Sequence, residues 1–239
     1  MAKKVLDHAK PEAAEAASDE RKPVADSKSG RRAVLFLILF VVFVVIVFLG
    51  PPIYRNWQAQ RTLQANTYNG FQFVQMRDGE VTLWVTRIQK GAQPYNIPFY
   101  YHPRDTESVA LEPGITNRFL SPDKPARVYV TIDPEASSTP VLAGVEFARI
   151  LGYKYNLLNI DTRSAFQRAP PDNDSNVVVM TCADATANVT VISMDLGQND
   201  IIYRDTQNPN CIRVQYMTEN ESVRVADRFA YGLLRIMPG

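Results

Sequence analysis

Residues 127–160 read RVYVTIDPEASSTPVLAGVEFARILGYKYNLLNI, and their pattern sets the architecture of the folded part of the chain. Arg127 to Asp133 is rich in β-branched and aromatic residues, as a strand is. Ser137, Ser138 or Thr139 can cap a helix, and Pro140 suits its first turn, where a missing amide donor does no harm. Val141, Leu142, Val145, Ala148 and Leu151 then recur on one helical face, and Gly152 ends the run. Tyr153 to Ile160 is expected to return as a strand. Strand, helix and strand in so short a span predict a crossover unit.

Working towards the N-terminus, residues 91–125 are turn-rich, with six prolines and two glycines. One strand is expected there, Ile97 to Tyr101, and its proline pushes it to a sheet edge. Before it, Phe71–Arg77 and Glu80–Gln89 flank Asp78-Gly79, a pair that tolerates positive φ and predicts a hairpin. Val81, Leu83 and Val85 fall on one face of that hairpin, Trp84 and Thr86 on the other. Towards the C-terminus, Asp161–Ser175 reads as a polar loop. Four β-rich runs follow it, at 176–182, 188–196, 200–204 and 211–217. Their short connections favour an antiparallel meander. Thr218-Glu219-Asn220-Glu221 has the pattern of a capping box. Behind it Val223, Ala226, Ala230, Leu233, Leu234 and Met237 repeat at helical spacing, with Arg228 and Arg235 late in the run.

The expected fold class is therefore α+β: an N-terminal transmembrane helix followed by one mixed, mostly antiparallel sheet domain with two packed helices. The transmembrane helix comes from residues 33–50, AVLFLILFVVFVVIVFLG. They are preceded by Arg31-Arg32 and ended by Pro51-Pro52. As a helix the run spans about 27 Å, close to the roughly 30 Å of a bilayer core. Eight Lys and Arg precede it, whereas only Arg55 and Arg61 occupy the twenty residues after Tyr54. That asymmetry places the N-terminus in the cytoplasm and the C-terminal domain outside, in a single pass of the cell membrane. Gly50-Pro51-Pro52-Ile53-Tyr54-Arg55 offers no small-x-small cleavage site, so the run reads as a retained anchor. The expected divisions are a disordered tail at 1–32, the span at 33–54, a stalk at 55–70 and the outer domain at 71–239.

Beyond the tail, eighteen Lys and Arg face nineteen Asp and Glu, a balance that argues against nucleic-acid binding. Cys182 and Cys211 are the only cysteines, and outside the cell they are expected to form a disulfide. His102, Arg104 and Asp105 sit in a polar–aromatic cluster that can bind a ligand. Asp161, Asp184 and Asp195 form a carboxylate pair only if the fold gathers them. Asp172-Asn173-Asp174-Ser175-Asn176 starts like a calcium loop. It lacks the glycine at the sixth position and the glutamate at the twelfth, so it reads as a solvated loop. Asn173, Asn188 and Asn220 head possible N-glycosylation sequons. No dinucleotide fingerprint, phosphate loop or HExxH zinc motif is present, so no catalytic residue, cofactor or metal is expected.

Thr181-Cys182-Ala183-Asp184-Ala185-Thr186, Asn210-Cys211-Ile212-Arg213-Val214, residues 226–237 and residues 99–105 resemble uncharacterised archaeal single-pass membrane proteins with an extracytoplasmic α+β domain. The resemblance brings no activity with it. It does imply that the two cysteines belong to one paired feature. A short inner tail, one span and an α+β outer domain is also similar in plan to certain membrane subunits of type IV secretion systems. The hairpin ahead of the main helix departs from their order. The expected function is a membrane-anchored interaction or binding module, a non-enzymatic envelope or surface component. Its expected partners are the lipid bilayer and other membrane or envelope proteins. The rivals are a subunit of a secretion-type assembly and a membrane-tethered hydrolase or ligand-binding enzyme.

Overall fold

The computed structural model of the chain describes residues 34–48, 51, 54, 66–171 and 177–239. Contacts divide the chain into a unit of residues 1–58 and a unit of residues 59–239. In the first, residues 34–48 form helix α1, with nearly every side chain exposed. Among the described residues, no helix is long and apolar enough to cross a membrane. The tail at 1–32, the ends of the expected span and most of the stalk lie outside the described residues.

The second unit contains two sheets, joined by helices. Four antiparallel strands make the first sheet in sequential order: β1 (Thr67–Tyr68), β2 (Phe71–Asp78), β3 (Val81–Lys90) and β4 (Gln93–Phe99). Strand β1 takes in the last residues of the expected stalk. Asn69 and Gly70, both at positive φ, turn β1 into β2. The predicted hairpin follows, but its loop is shifted by one residue. Asp78 pairs with Val81, so the loop is Gly79-Glu80, and Gly79 alone takes positive φ. This is the arrangement of a turn with glycine at its first central position. Pro94 and Pro98 lie on β4, at the sheet edge, as the missing amide donors require.

The second sheet has six strands in the order β5-β9-β10-β8-β6-β7. They are β5 (Ala110–Leu111), β6 (Arg127–Ile132), β7 (Asp161–Phe166), β8 (Val189–Leu196), β9 (Ile201–Arg204) and β10 (Cys211–Tyr216). A short helix α2 (Asn117–Leu120) precedes β6. The crossover unit is present: β6, helix α3 (Ser138–Leu151) and β7, with β6 and β7 parallel. Its second strand begins later than expected. Asn156 and Asn159 adopt positive φ in the 153–160 stretch, which breaks a strand there. The polar run DTRSAF makes the edge strand instead. Among the described residues of the run 176–182, strand pairing is limited to a bridge from Val179 to Phe166.

The last three strands do not make the expected antiparallel meander. Strand β10 inserts between β8 and β9, pairing parallel with β8 and antiparallel with β9. The sequence contains the reason. Thr190 to Met194 is buried without interruption, the mark of a central strand covered on both faces. On one face Ile192, Met194, Ile212 and Val214 join the main core. On the other, Val191 and Cys211 are covered by Met180, Cys182 and Ala185.

Helix α4 (Ser222–Leu233) is packed between the two sheets, and every residue but Arg224 is buried. Tyr231 lies 4.4 Å from Phe99 and 5.9 Å from Phe73, while Phe229 lies 5.4 Å from Phe147 of α3 (ring centroids). The expected capping box does not form, because Thr218 makes no side-chain cap bond. Instead a 3-10 turn over Glu219–Glu221 leads in, and the Ser222 hydroxyl donates to the Glu219 carbonyl at 2.6 Å.

The buried face of α3 also differs from expectation. Pro140, Ala143, Glu146, Phe147, Ile150 and Leu151 face inward, while Val141 and Val145 are exposed. Glu146 hides the phase. It is buried beside Arg149, which pairs with it and also donates to the Pro98 carbonyl.

Candidate functional site

His102 caps a 3-10 turn over Pro103–Thr106. Its Nδ1 accepts the Arg104 backbone N–H, and the Asp105 carboxylate accepts the His102 N–H, both at 3.3 Å. The ring is buried 4.7 Å from Trp84 and 5.1 Å from Phe73 (centroids). Burial, with the Arg104 charge behind it, lowers its pKa, and Asp105 and the Asn66 carbonyl oppose that shift. His102 is thus held neutral within the wall. The fold gathers His102, Arg104 and Asp105 into one turn, but as a cap. None of them lines the two clefts described below.

Cys182 and Cys211 are joined as a disulfide with Cα atoms 5.1 Å apart. The bond clips the segment around Cys182 over the second face of the six-stranded sheet. Asn208 Nδ2 holds the same segment by donating to the Cys182 and Ala185 carbonyls. The three aspartates are kept apart. Asp161 pairs with Arg127 and Arg163 at the start of β7. Asp184 accepts from Thr181 in a local turn. Asp195 lies near the end of β8. Asn188 and Asn220 are exposed, one before β8 and one in the turn before α4. The calcium-like loop and Asn173 lie outside the described residues.

Two features come into view only in the folded chain. The first is the outward face of the four-stranded sheet. Its register puts Phe73, Trp84, Thr86, Ile97 and Phe99 towards the core, so Val74, Met76, Val81, Leu83 and Val85 face away from it. Val74, Met76 and Val81 are 58%, 49% and 45% exposed. Cross-strand neighbours on this face are apolar too: Met76 beside Leu83, and Val74, Val85 and Pro98 in a row. A groove of about 860 Å³ runs along it, lined by Phe71, Val74, Met76, Val85 and Arg87 among others. A continuous apolar sheet face left open to water marks an interaction surface more often than a structural accident.

The second is a crevice of about 320 Å³ at the carboxyl ends of β6, β7, β8 and β10. Sheets of this kind bind ligands at that edge, where the strand order changes direction. Here β7 lies on one side of β6, and β8 and β10 on the other. Asp133 and Glu135 follow β6, Gln167 follows β7, Asp195 is next to last in β8, Tyr216 ends β10 and Glu219 starts the turn before α4. Gln167 Nε2 donates to Asp195 at 2.9 Å and to the Met194 carbonyl at 2.8 Å. Arg168 pairs with Asp133 and Glu135, and Arg213 with Asp195 and Asp205. The Glu135 backbone N–H and the Arg168 guanidinium hold the Asp133 carboxyl below its usual range. Tyr216 is only 2% exposed. Burial first, then the charges of Glu219, Asp195 and Asp133, push its hydroxyl pKa up. Among the described residues, no group of three His, Cys, Asp or Glu side chains is placed to hold a metal ion.

The crevice is hidden in the sequence because its residues are scattered between positions 133 and 219. The usable signal was positional: a polar or aromatic residue at the end of each β-rich run. Searches among protein families, characterised proteins and solved structures find no match to this chain.

Proposed function

We propose that this chain is a membrane-anchored interaction module whose working surface is the outward face of its four-stranded sheet. The observation that carries the reading is the exposed row of Val74, Met76 and Val81 with Leu83 and Val85 beside it. Alternation alone would bury such a row, because a one-residue slip in register moves it to the core side. In this fold Trp84 and Thr86 take the core side instead, and the apolar row is left outside. That arrangement is stable in a chain that covers the face with a partner.

The anchor is the apolar run 33–50 with its cytoplasmic flank of Lys and Arg. An extracytoplasmic site for the second unit suits a disulfide, which persists in oxidising compartments. The proposed partners are other membrane or envelope proteins, and the chain is a non-enzymatic surface component. The hydrolase reading draws no support from His102, whose acceptor nitrogen is used by the Arg104 amide.

The test is a pair of substitutions, Val74→Lys and Val85→Lys, in the full chain expressed in its native membrane. Both positions are on the outward face, so thermal unfolding should move little. On native gels of gently solubilised membranes the wild type should migrate as a larger assembly that the double variant loses. Equal migration of the two would refute the reading.

A further inference from the structure

The crevice at the strand ends has the chemistry of a receptor for one kind of ligand. Four carboxylates line it: Asp133, Glu135, Asp195 and Glu219. Two guanidiniums, Arg168 and Arg213, touch them, and Arg213 is shared with Asp205 outside the crevice. Negative charge is therefore in excess. Anions are disfavoured for a second reason. The start of α3 points into this region, and its Ser137 N–H is already taken by Glu219 Oε1 at 3.3 Å. A resident carboxylate sits where a phosphate would otherwise bind.

Tyr216 supplies the independent observation. The residue is only 2% exposed and lines the crevice, no described group hydrogen-bonds its side chain, and its hydroxyl is left open rather than sealed in the core. The charges that act on it are those of Glu219, Asp195 and Asp133, all carboxylates of the same crevice. A phenol can accept an N–H from a ligand while donating to a carboxylate. Met194, Leu196 and Ala136 complete the lining with apolar surface suited to a methylene stem.

We propose that this crevice binds an organic cation, an alkyl ammonium or guanidinium group, with Glu219, Asp133 and Tyr216 as the recognising side chains. The charged head sits against Glu219 and the Tyr216 hydroxyl, and the stem lies along Met194 and Leu196. Either a free amine or a basic side chain of a partner presents this chemistry.

The experiment is calorimetric titration of the full chain in detergent with agmatine, with a capped lysine peptide, and with pentanediol as the uncharged control. Agmatine or the peptide should bind saturably and pentanediol should not. Glu219→Gln keeps the acceptor for Ser137 and removes the charge. It should weaken binding by about tenfold or more, the scale of one charge-assisted hydrogen bond. Tyr216→Phe keeps the ring and should weaken it by a smaller factor. Thermal unfolding of both variants serves as the folding control. Tighter binding of agmatine identifies a free amine as the source. Tighter binding of the peptide identifies a partner's side chain. Either result supports the site. Absence of saturable binding by both cations, or unchanged binding in both folded variants, overturns it.

Discussion

Asp227 is fully buried in the middle of α4, and replacing it should reveal how the two sheets are tied together. One carboxyl oxygen, Oδ2, accepts the backbone N–H groups of Tyr100 and Tyr101, each at 2.9 Å. The other oxygen is buried without a partner. Burial drives the Asp227 pKa well above the usual carboxylate range, and the Glu146 charge pushes the same way. The two amide bonds and Arg149 oppose the shift. The sign follows from linkage. A carboxyl whose pKa is raised in the folded state contributes stability that is full below its unfolded pKa, near pH 4. That contribution is lost as pH rises through the folded value. Asp227→Asn keeps an acceptor and cannot ionise, so it should remove this downward slope. Asp227→Ala leaves two buried amides unpaired and should cost about 2–5 kcal/mol at pH 5, and less at pH 8, where the wild type has lost part of the carboxyl's contribution. Urea unfolding of the three proteins at pH 5 and pH 8 measures both effects. The difference between wild type and Asp227→Asn isolates this carboxyl, because His102 titrates in the same window in both. If the wild type gains stability relative to Asp227→Asn from pH 5 to pH 8, the reasoning fails. It also fails if Asp227→Ala costs less than about 1 kcal/mol at pH 5.

Replacing Cys182 and Cys211 together by Ser opens a loop of sequence separation 29. It should lower the urea unfolding free energy by about 3–4 kcal/mol, whereas free thiols in the non-reduced wild type would contradict the bond. His102→Ala removes a cap and a ring packed on Trp84 and Phe73. It should cost about 2–4 kcal/mol by the same assay. The His102 ring, followed by NMR, should titrate below the ordinary histidine range. Its contribution to stability is present above pH 6.5 and lost as pH falls through the lowered folded value. A Cβ at Gly144 would stand 3.1 Å from Ile132 Cδ1. Gly144→Ala should therefore cost about 1–2 kcal/mol despite a gain in helix propensity, and a stabilised variant would show that α3 and β6 can move apart.

Much of the fold was legible because local chemistry and global topology agree where the patterns are strong. The crossover of β6 and α3, the hairpin of β2 and β3, the edge position of β4 and the strands β8 to β10 all follow from periodicity and punctuation. The departures have physical causes. Strand β7 was hidden because an edge strand, DTRSAF, needs little apolar surface. The parallel pairing of β10 with β8 is non-local, and turn lengths favour the hairpin that does not form. The face of α3 was rotated by Glu146, a charge whose burial depends on Arg149 and on the Pro98 carbonyl of another element. The disulfide was readable from the presence of just two cysteines in a part of the chain expected to face an oxidising compartment. The strand-end crevice was not, because charge and burial there are made by four strands at once.

The account turns on whether the outward sheet face is occupied in the membrane. The most direct measurement places a photo-crosslinking residue at Met76 in the full chain, and in parallel at exposed Lys154 as a control, in native membranes. The account predicts discrete protein adducts from Met76 that disappear when Val74 and Val85 are both lysine, with no matching adducts from Lys154. Adducts of equal pattern from both positions, or none from Met76, would contradict it.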